Sequence, residues 1–138
     1  MTFSLGVRAV VIDASVAMAV LAGEASWVAR MRRWAEADAM LLVPAHFPVE
    51  VANALVRGTQ TPAAEAASRL ERLFAAGFET ADRGLPGLLG GIELAERHRL
   101  TVYDSLYIDL ALDIDGELAT LDRDLATAAV AEGVTVAA

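Results

Sequence analysis

The stretch Val10-Val11-Ile12-Asp13-Ala14-Ser15 decides the fold of this chain, because an apolar run passes directly into an acid and a small hydroxyl. A short β-branched run bounded by a polar residue is typical of a buried strand. The residues that follow, 14–22, have the composition of a short helix. A strand that ends in a carboxylate and turns into a helix predicts the first unit of a parallel α/β sheet.

The rest of the chain repeats this alternation of short apolar runs and longer helical patterns. Strands are predicted at 8–12, 40–43, 78–80, 117–121 and 134–136, and helices at 14–22, 25–38, 48–57, 61–77, 87–99, 103–112 and 123–132. In the second helix Trp27, Met31 and Trp34 recur at i, i+4 and i+7, which predicts one buried face. The pattern predicts an α/β fold with a mostly parallel central sheet and helices on both faces.

Composition indicates a single domain over residues 1–138, since 56% of the residues are hydrophobic and a core can be buried. The absence of cysteine excludes disulfides, thiolate zinc sites and a cysteine nucleophile, and it fits a reducing cytoplasm. Every basic residue other than histidine is Arg, so a P-loop and Lys Schiff-base chemistry are excluded. Because Asp13 interrupts the apolar run after Arg8, we expect a soluble, cytoplasmic protein without an export signal.

The net charge of −8, taken alone, argues against binding to nucleic acid, because phosphate contacts depend on surplus positive charge. A metal-dependent nuclease can nevertheless be acidic overall. Its clustered carboxylates add to the negative sum, while the metal and local arginines meet the phosphate.

Four carboxylates lie where a strand or helix is predicted to end or begin. Asp13 and Asp122 follow strands, Glu50 lies early in a helix opened by Pro48, and Asp104 opens a helix. Each one alone has an ordinary explanation as a helix cap or a first-turn acid. Ligands of parallel sheets bind at the carboxyl ends of strands where the strand order reverses, so Asp13 and Asp122 would face each other if their strands are neighbours there. Four converging carboxylates repel one another, and a divalent cation would offset that cost.

Small polar residues accompany these acids. Ser15 lies two residues after the first acid, Thr120 two residues before the last, and Asn53 one helical turn after Glu50. A hard cation such as Mg²⁺ takes oxygen ligands and retains waters, which hydroxyl and amide groups can hold. The pattern is therefore compatible with a magnesium or manganese site.

Taken together, four motifs resemble PIN-domain ribonucleases, and above all the toxin half of VapBC toxin–antitoxin modules. The resemblance covers essentially the whole chain, and the order and spacing of the motifs carry it, since no motif is specific alone. The motifs are Val11-Ile12-Asp13-Ala14-Ser15, Pro48-Val49-Glu50-Val51-Ala52-Asn53-Ala54-Leu55, Tyr103-Asp104-Ser105-Leu106-Tyr107 and Leu118-Ala119-Thr120-Leu121-Asp122-Arg123-Asp124-Leu125.

The resemblance implies a three-layer α/β/α PIN-like fold and a Mg²⁺- or Mn²⁺-dependent endoribonuclease that acts as the toxin of a type II pair. Asp13, Glu50, Asp104 and Asp122 match the catalytic, metal-binding acids of the family, and Ser15, Asn53 and Thr120 match its supporting positions. It further implies an RNA substrate, a small antitoxin that covers or enters the acidic cleft, and a homodimer. The alternative is a catalytically inactive PIN-like protein whose function is to form a complex with its partner, and the low pI favours it slightly.

The remaining charged residues are interpreted as structural. Asp124 is a possible site residue but is better explained as a helix-start acid, and Asp109, five residues after Asp104, is predicted to lie on the surface. His46 and His98 are not at ligand spacing to other candidates and are assigned structural roles. The arginines of the second helix could touch RNA, although a charged outer face is the preferred explanation; they are Arg30, Arg32 and Arg33.

Overall fold

The computed structural model describes residues 8–137, and five parallel strands form its centre. The strands are β1 (Ala9–Ile12), β2 (Met40–Pro44), β3 (Phe78–Ala81), β4 (Glu117–Ala119) and β5 (Val136–Ala137). They form one sheet in the order β3-β2-β1-β4-β5, and every neighbouring pair is parallel. The predicted parallel α/β architecture is confirmed.

Seven α-helices lie among these strands within residues 8–137, in a three-layer α/β/α arrangement. They are α1 (Ala14–Leu21), α2 (Ala25–Glu36), α3 (Phe47–Asn53), α4 (Ala63–Ala75), α5 (Gly84–His98), α6 (Val102–Asp113) and α7 (Arg123–Ala131). A π-helical turn, Ala54–Gly58, continues α3. Helix α6 packs on β1, β2 and β4 and carries α5 on its other side, whereas α1 contacts α2, α3 and α4.

The strand order reverses at β1, which places two of the candidate acids side by side. Strand β1 pairs with β2 on one side and with β4 on the other, and Ile12 is in register with Ala119. Asp13 therefore leaves the sheet next to the segment that leads from β4 to Asp122. This is the neighbour relation on which the predicted site depends.

Several element boundaries differ from the prediction, and β4 ends at Ala119 rather than at residue 121. Helix α5 begins at Gly84 rather than at residue 87, because Pro86 is tolerated in a first turn whose backbone N–H groups need no helical partner. Pro44 is the last residue of β2 rather than the residue that stops it. The last strand is Val136–Ala137, since Val134 still closes α7 by donating its N–H to the carbonyl of Ala129.

The core is built from the sheet and from one face of each surrounding helix. Trp27 and Trp34 are buried and their rings lie 6.5 Å apart, while Met31 is partly buried against the same core, so the predicted face of α2 is confirmed. Within the described residues, no helix combines the length and the apolar character needed to cross a membrane.

Candidate metal centre

Asp13 is the most constrained of the four candidate acids. It caps α1, and its Oδ1 accepts hydrogen bonds from the Val16 N–H at 3.1 Å and from the Ser15 hydroxyl at 2.5 Å. Its Oδ2 accepts a hydrogen bond from the Thr120 hydroxyl. The side chain is buried, and burial raises the pKa of Asp13 above its ordinary value, although these hydrogen bonds oppose the shift. Asp13 is thus both a helix cap and a buried carboxylate that is costly to ionise.

Ser15 and Thr120 join the ends of β1 and β4 through their hydroxyls. The Ser15 oxygen accepts the Leu121 N–H at 2.9 Å, and the Thr120 oxygen accepts the Asp122 N–H at 2.9 Å. Each hydroxyl therefore donates to Asp13 and accepts from the segment that carries Asp122. The two predicted supporting residues fix the distance between the two strand-end acids.

Asp122 is the exposed partner of Asp13. It caps α7, where its Oδ1 accepts the N–H groups of Asp124 and Leu125 at 3.0 and 3.1 Å. No described residue donates to its Oδ2. The charge of Asp122 raises the pKa of Asp13, which shows that the two carboxylates are close enough to interact.

Glu50 lies in the first turn of α3 and is held from two sides. The Tyr107 hydroxyl donates to Glu50 Oε1 at 2.5 Å, and His46 Nε2 lies 3.3 Å from the same oxygen. Burial opposes ionisation of Glu50, but the contacts with His46 and Tyr107 outweigh it, and the pKa of Glu50 is lowered. Glu50 is therefore kept negative, while burial and this carboxylate raise the pKa of Tyr107 so that the phenol remains a donor.

Asp104 is the acid whose pKa is affected by the charges of all three other candidate acids. It lies half-buried in the first turn of α6, which Thr101 caps by accepting the Asp104 N–H at 3.1 Å. Burial raises the pKa of Asp104, and the charges of Asp122, Glu50 and Asp13 raise it further. One carboxylate thus experiences the other three, so the chain brings together residues that are up to 109 positions apart in sequence.

The chemistry of this donor set fits a hard cation. Within residues 8–137, no three Asp, Glu or His side chains converge closely enough to enclose an ion. Asp13, Glu50, Asp104 and Asp122, named here the acidic edge, are coupled electrostatically through Asp104 and form no closed cage. Mg²⁺ is commonly bound through one or two carboxylates and keeps several waters, so this donor set can hold it in part through water.

The two remaining candidates lie outside this network. Asn53 is the exposed last residue of α3, and its side chain makes no hydrogen bond to the acids among the described residues. Asp124 lies exposed in the first turn of α7, which agrees with its interpretation as a helix-start acid. Roles for these two side chains in the site stay predictions.

Sequence reasoning missed His46 and Tyr107 as members of the site. The ring of His46 packs against Tyr107 with centroids 5.1 Å apart, and its Nε2 lies 3.3 Å from Glu50 Oε1, so the structural role expected for His46 places it beside one of the acids. The signal was present, since His46 precedes Glu50 by four residues and Tyr107 follows Asp104 by three, both on shared helix faces. His98, by contrast, contacts Glu132 at 2.6 Å, in keeping with a structural role.

Asp109 is buried, so the prediction of a surface position is wrong. Arg83 Nε donates to Asp109 Oδ2 at 3.0 Å, and the pair lies between α5 and α6. Two glycines of α5 make room for it: a Cβ at Gly90 would lie 2.5 Å from Asp109 Oδ1, and one at Gly87 would lie 3.1 Å from Oδ2. Asp109 does lie on a different face of α6 from Asp104, as predicted. That face packs against α5 instead of facing solvent.

Comparison with known protein families identifies the domain to which these residues belong. The family model of the PIN domain matches residues 10–131, which is most of the chain. The chain belongs to the PIN domain family. The matched range includes all four acids of this PIN domain together with both hydroxyls that support Asp13. No curated protein sequence matches the chain.

Solved structures share the fold at low sequence identity. PAE2754 from Pyrobaculum aerophilum superposes with a TM-score of 0.70 at 22% identity, covering 94% of this PIN domain and 91% of that chain. VapBC2 from Rickettsia felis, bound to a DNA fragment from its promoter, gives 0.72 at 12% identity, covering 94% and 98%. VapC20 from Mycobacterium tuberculosis, a toxin that cleaves the sarcin–ricin loop, gives 0.69 at 17% identity, covering 86% and 94%. At these identities the likeness establishes the shared fold.

Proposed function

We propose that this PIN domain is a Mg²⁺- or Mn²⁺-dependent endoribonuclease that acts as the toxin of a type II toxin–antitoxin pair. The observation that carries the proposal is the position of Asp104, whose pKa is raised by burial and by the charges of the three other acids. Carboxylates that far apart in sequence are gathered at a cost, and a bound divalent cation would offset it.

In this mechanism Asp13, Glu50, Asp104 and Asp122 hold the cation, directly or through water. Bound there, a divalent ion supplies an activated water and neutralises charge that develops on a phosphoryl oxygen. The protein keeps the donors in place: two hydroxyls orient Asp13, and Tyr107 orients Glu50, whose pKa is lowered. The exposed face of Asp122 leaves the edge open to a phosphodiester from solvent.

The similarity to VapC20 supports RNA as the substrate, because that protein is a toxin that cleaves the sarcin–ricin loop. The similarity to VapBC2 supports a partner protein. We propose that the partner is a small antitoxin that covers the acidic edge, where an arginine could pair with the carboxylates. Such a toxin would act in the cytoplasm, where its RNA is.

Incubation of the purified chain with mixed RNA tests the proposal directly. We expect cleavage with Mg²⁺ or Mn²⁺ and none with EDTA, because the four acids alone cannot activate water at neutral pH. Expression in cells should arrest growth, and co-expression of a short neighbouring reading frame should restore it. Equal cleavage with and without EDTA would contradict the metal mechanism.

The net charge of −8 favours a second candidate, a PIN-like protein that forms a complex with a partner but has no catalytic activity. In that case the acids would hold a structural ion or pair with the partner's basic residues. RNA left intact with every divalent cation, together with a stable complex with the neighbouring gene product, would select this candidate.

We further propose that the chain is a homodimer that uses the outer face of α5. Leu85, Leu88, Leu89 and Ile92 recur at i, i+3, i+4 and i+7 on this helix, and all four are exposed, Leu85 by 65%. A contiguous apolar stripe in water is typical of an interface.

Replacing Leu89 by Asp should therefore convert the dimer into a monomer, which light scattering after size-exclusion chromatography measures. The matched control is Val130→Asp, an exposed apolar residue on α7, which should leave the mass unchanged. A native chain that is monomeric at every concentration would contradict the proposal.

A further inference from the structure

The arginines of this acidic chain fall into two groups. Within residues 8–137 four of them form ion pairs with carboxylates, namely Arg8, Arg69, Arg83 and Arg97. The other seven of the eleven have no carboxylate partner in the described part of the chain. Positive charge that is not neutralised internally is available to an external anion.

Three of these seven arginines line two adjoining depressions, the first of which reaches the acidic edge. The first depression, of about 450 Å³, contains Thr120, Asp122, Arg123 and Arg30 in its wall. The second, of about 440 Å³, shares Arg30 with the first and adds Arg33. Arg123, Arg30 and Arg33 thus form a continuous arginine track that leads away from Asp122.

The middle residue of the arginine track is held in place by an aromatic ring. The Arg30 guanidinium lies 4.8 Å from the centroid of the Trp27 ring, and Trp27 is itself buried. A cation–π contact of this kind restrains the side chain while leaving its N–H groups free to donate. Arg8, which also lines the second depression, is bound to Glu117 through two hydrogen bonds and is already neutralised.

We propose that Arg123, Arg30 and Arg33 bind successive backbone phosphates of single-stranded RNA beside the cleavage position. The inference rests on the proposed function for its substrate. It adds the path that the RNA backbone follows across the protein surface. It also explains how a chain with a charge of −8 could bind a polyanion. The arginine track attracts the backbone phosphates next to the acidic edge and so offsets the repulsion by the acids.

RNA suits the arginine track better than a protein segment does. The track adjoins Asp122 directly, so a strand whose phosphodiester lies at the acids has its next phosphates beside Arg123 and Arg30. Arginine forks donate to phosphate oxygens in a bidentate manner, which positions a backbone without reading its sequence.

The test measures RNA binding in the absence of cleavage. A fluorescent single-stranded RNA of mixed sequence is titrated with the full chain in EDTA over a range of salt concentrations, and anisotropy gives the affinity. Single variants Arg30→Gln, Arg33→Gln and Arg123→Gln should each lower the salt slope by about 0.7, the value for one phosphate contact on a single strand. Near 0.1 M salt this corresponds to roughly a fivefold loss of affinity.

Arg32→Gln is the matched control, because Arg32 is an exposed arginine of the same helix that lines neither depression. It should bind RNA like the native chain. Arg33 and Arg123 are exposed as well, so their variants test the arginine track without disturbing the core even if Arg30→Gln, which loses its contact with Trp27, is less stable.

The outcomes separate this inference from the proposed function. Loss of RNA affinity confined to the three arginine-track variants supports it, even if Mg²⁺ elicits no cleavage. If the chain cleaves RNA but all four variants bind it equally, the arginine track is refuted and the nuclease stands. Binding of a poly-glutamate peptide that depends on these arginines, without such a dependence for RNA, would assign the surface to a protein and overturn the proposal.

Discussion

An Asp13→Asn variant is expected to cleave RNA at least about 100-fold more slowly than the native chain while keeping its fold. Loss of a side chain that merely supports a metal ligand typically costs 10- to 100-fold, so loss of a carboxylate at the centre of the site should cost at least the upper value. The measurement is the rate of cleavage of a labelled RNA with Mg²⁺, together with growth of cells that express the variant without antitoxin.

The fold should survive because an amide can satisfy most of the same hydrogen-bond partners. The Asn oxygen can accept from the Val16 N–H and the Ser15 hydroxyl, as Oδ1 of Asp13 does. The Asn amide can donate to the second lone pair of the Thr120 hydroxyl, whose own hydrogen, which Asp13 Oδ2 accepts in the native chain, must then turn to another acceptor. Removal of a buried charge whose pKa is already raised by burial should leave the metal-free protein as stable as before, or more stable.

Glu71→Gln is the control, since it removes one negative charge from an exposed position on α4. Its cleavage rate should stay within about threefold of the native rate, because exposed charges are well screened at ordinary salt. An Asp13→Asn protein that folds and still arrests growth like the native chain would refute the assigned role of Asp13.

The proximity of Asp13 and Asp122 could be predicted from the sequence because it follows from the topology of a parallel sheet. Alternating strands and helices imply a parallel sheet, and a parallel sheet places strand ends at one edge. The pairing of β1 with β4, which sets Asp13 beside Asp122, then follows if the strand order reverses at β1. The hydroxyls of Ser15 and Thr120 reinforce the same juxtaposition, and they were identified by spacing alone.

The contacts between helices were harder to predict, because they depend on packing that no local pattern specifies. Asp109 looks like a surface residue when only rotation about α6 is considered. Its burial depends on α5, where Gly87 and Gly90 leave space for the carboxylate and Arg83 neutralises it. Two glycines one turn apart inside a helix are a signal of such a close approach.

Acidification is expected to abolish RNA cleavage at a pH above the ordinary pKa of a carboxylate. Burial raises the pKa of Asp13 and of Asp104 above their reference value of 3.8, and the neighbouring charges raise both further. Protons then compete with the cation for two carboxylates, so the rate should fall by up to about 100-fold per pH unit. Raising the Mg²⁺ concentration should move the pH at which the cleavage rate falls to a lower value, because the cation competes with the protons.

The same shifts predict an opposite trend for stability without metal. The folded state holds protons on Asp13 and Asp104 more tightly than the unfolded chain does, so the free energy of unfolding should decrease as pH rises above 3.8 and through their folded pKa values. Glu50 has the reverse sign: its lowered pKa adds stability above 4.5 that is lost only as pH falls below that value. Above pH 4.5 the first trend should therefore dominate among these three acids, up to the folded pKa values of Asp13 and Asp104.

Thermal unfolding in EDTA and in Mg²⁺ across this range separates the two effects. In EDTA the native chain should become more stable as pH falls through the folded pKa values of Asp13 and Asp104, and saturating Mg²⁺ should remove most of this dependence by stabilising the ionised acids. Asp104→Asn should flatten the curve in EDTA, whereas Glu71→Gln should retain the native curve. Stability that falls steadily on acidification in EDTA would mean that these carboxylates are not held together at a cost, and the principal reason for placing a cation among them would be gone.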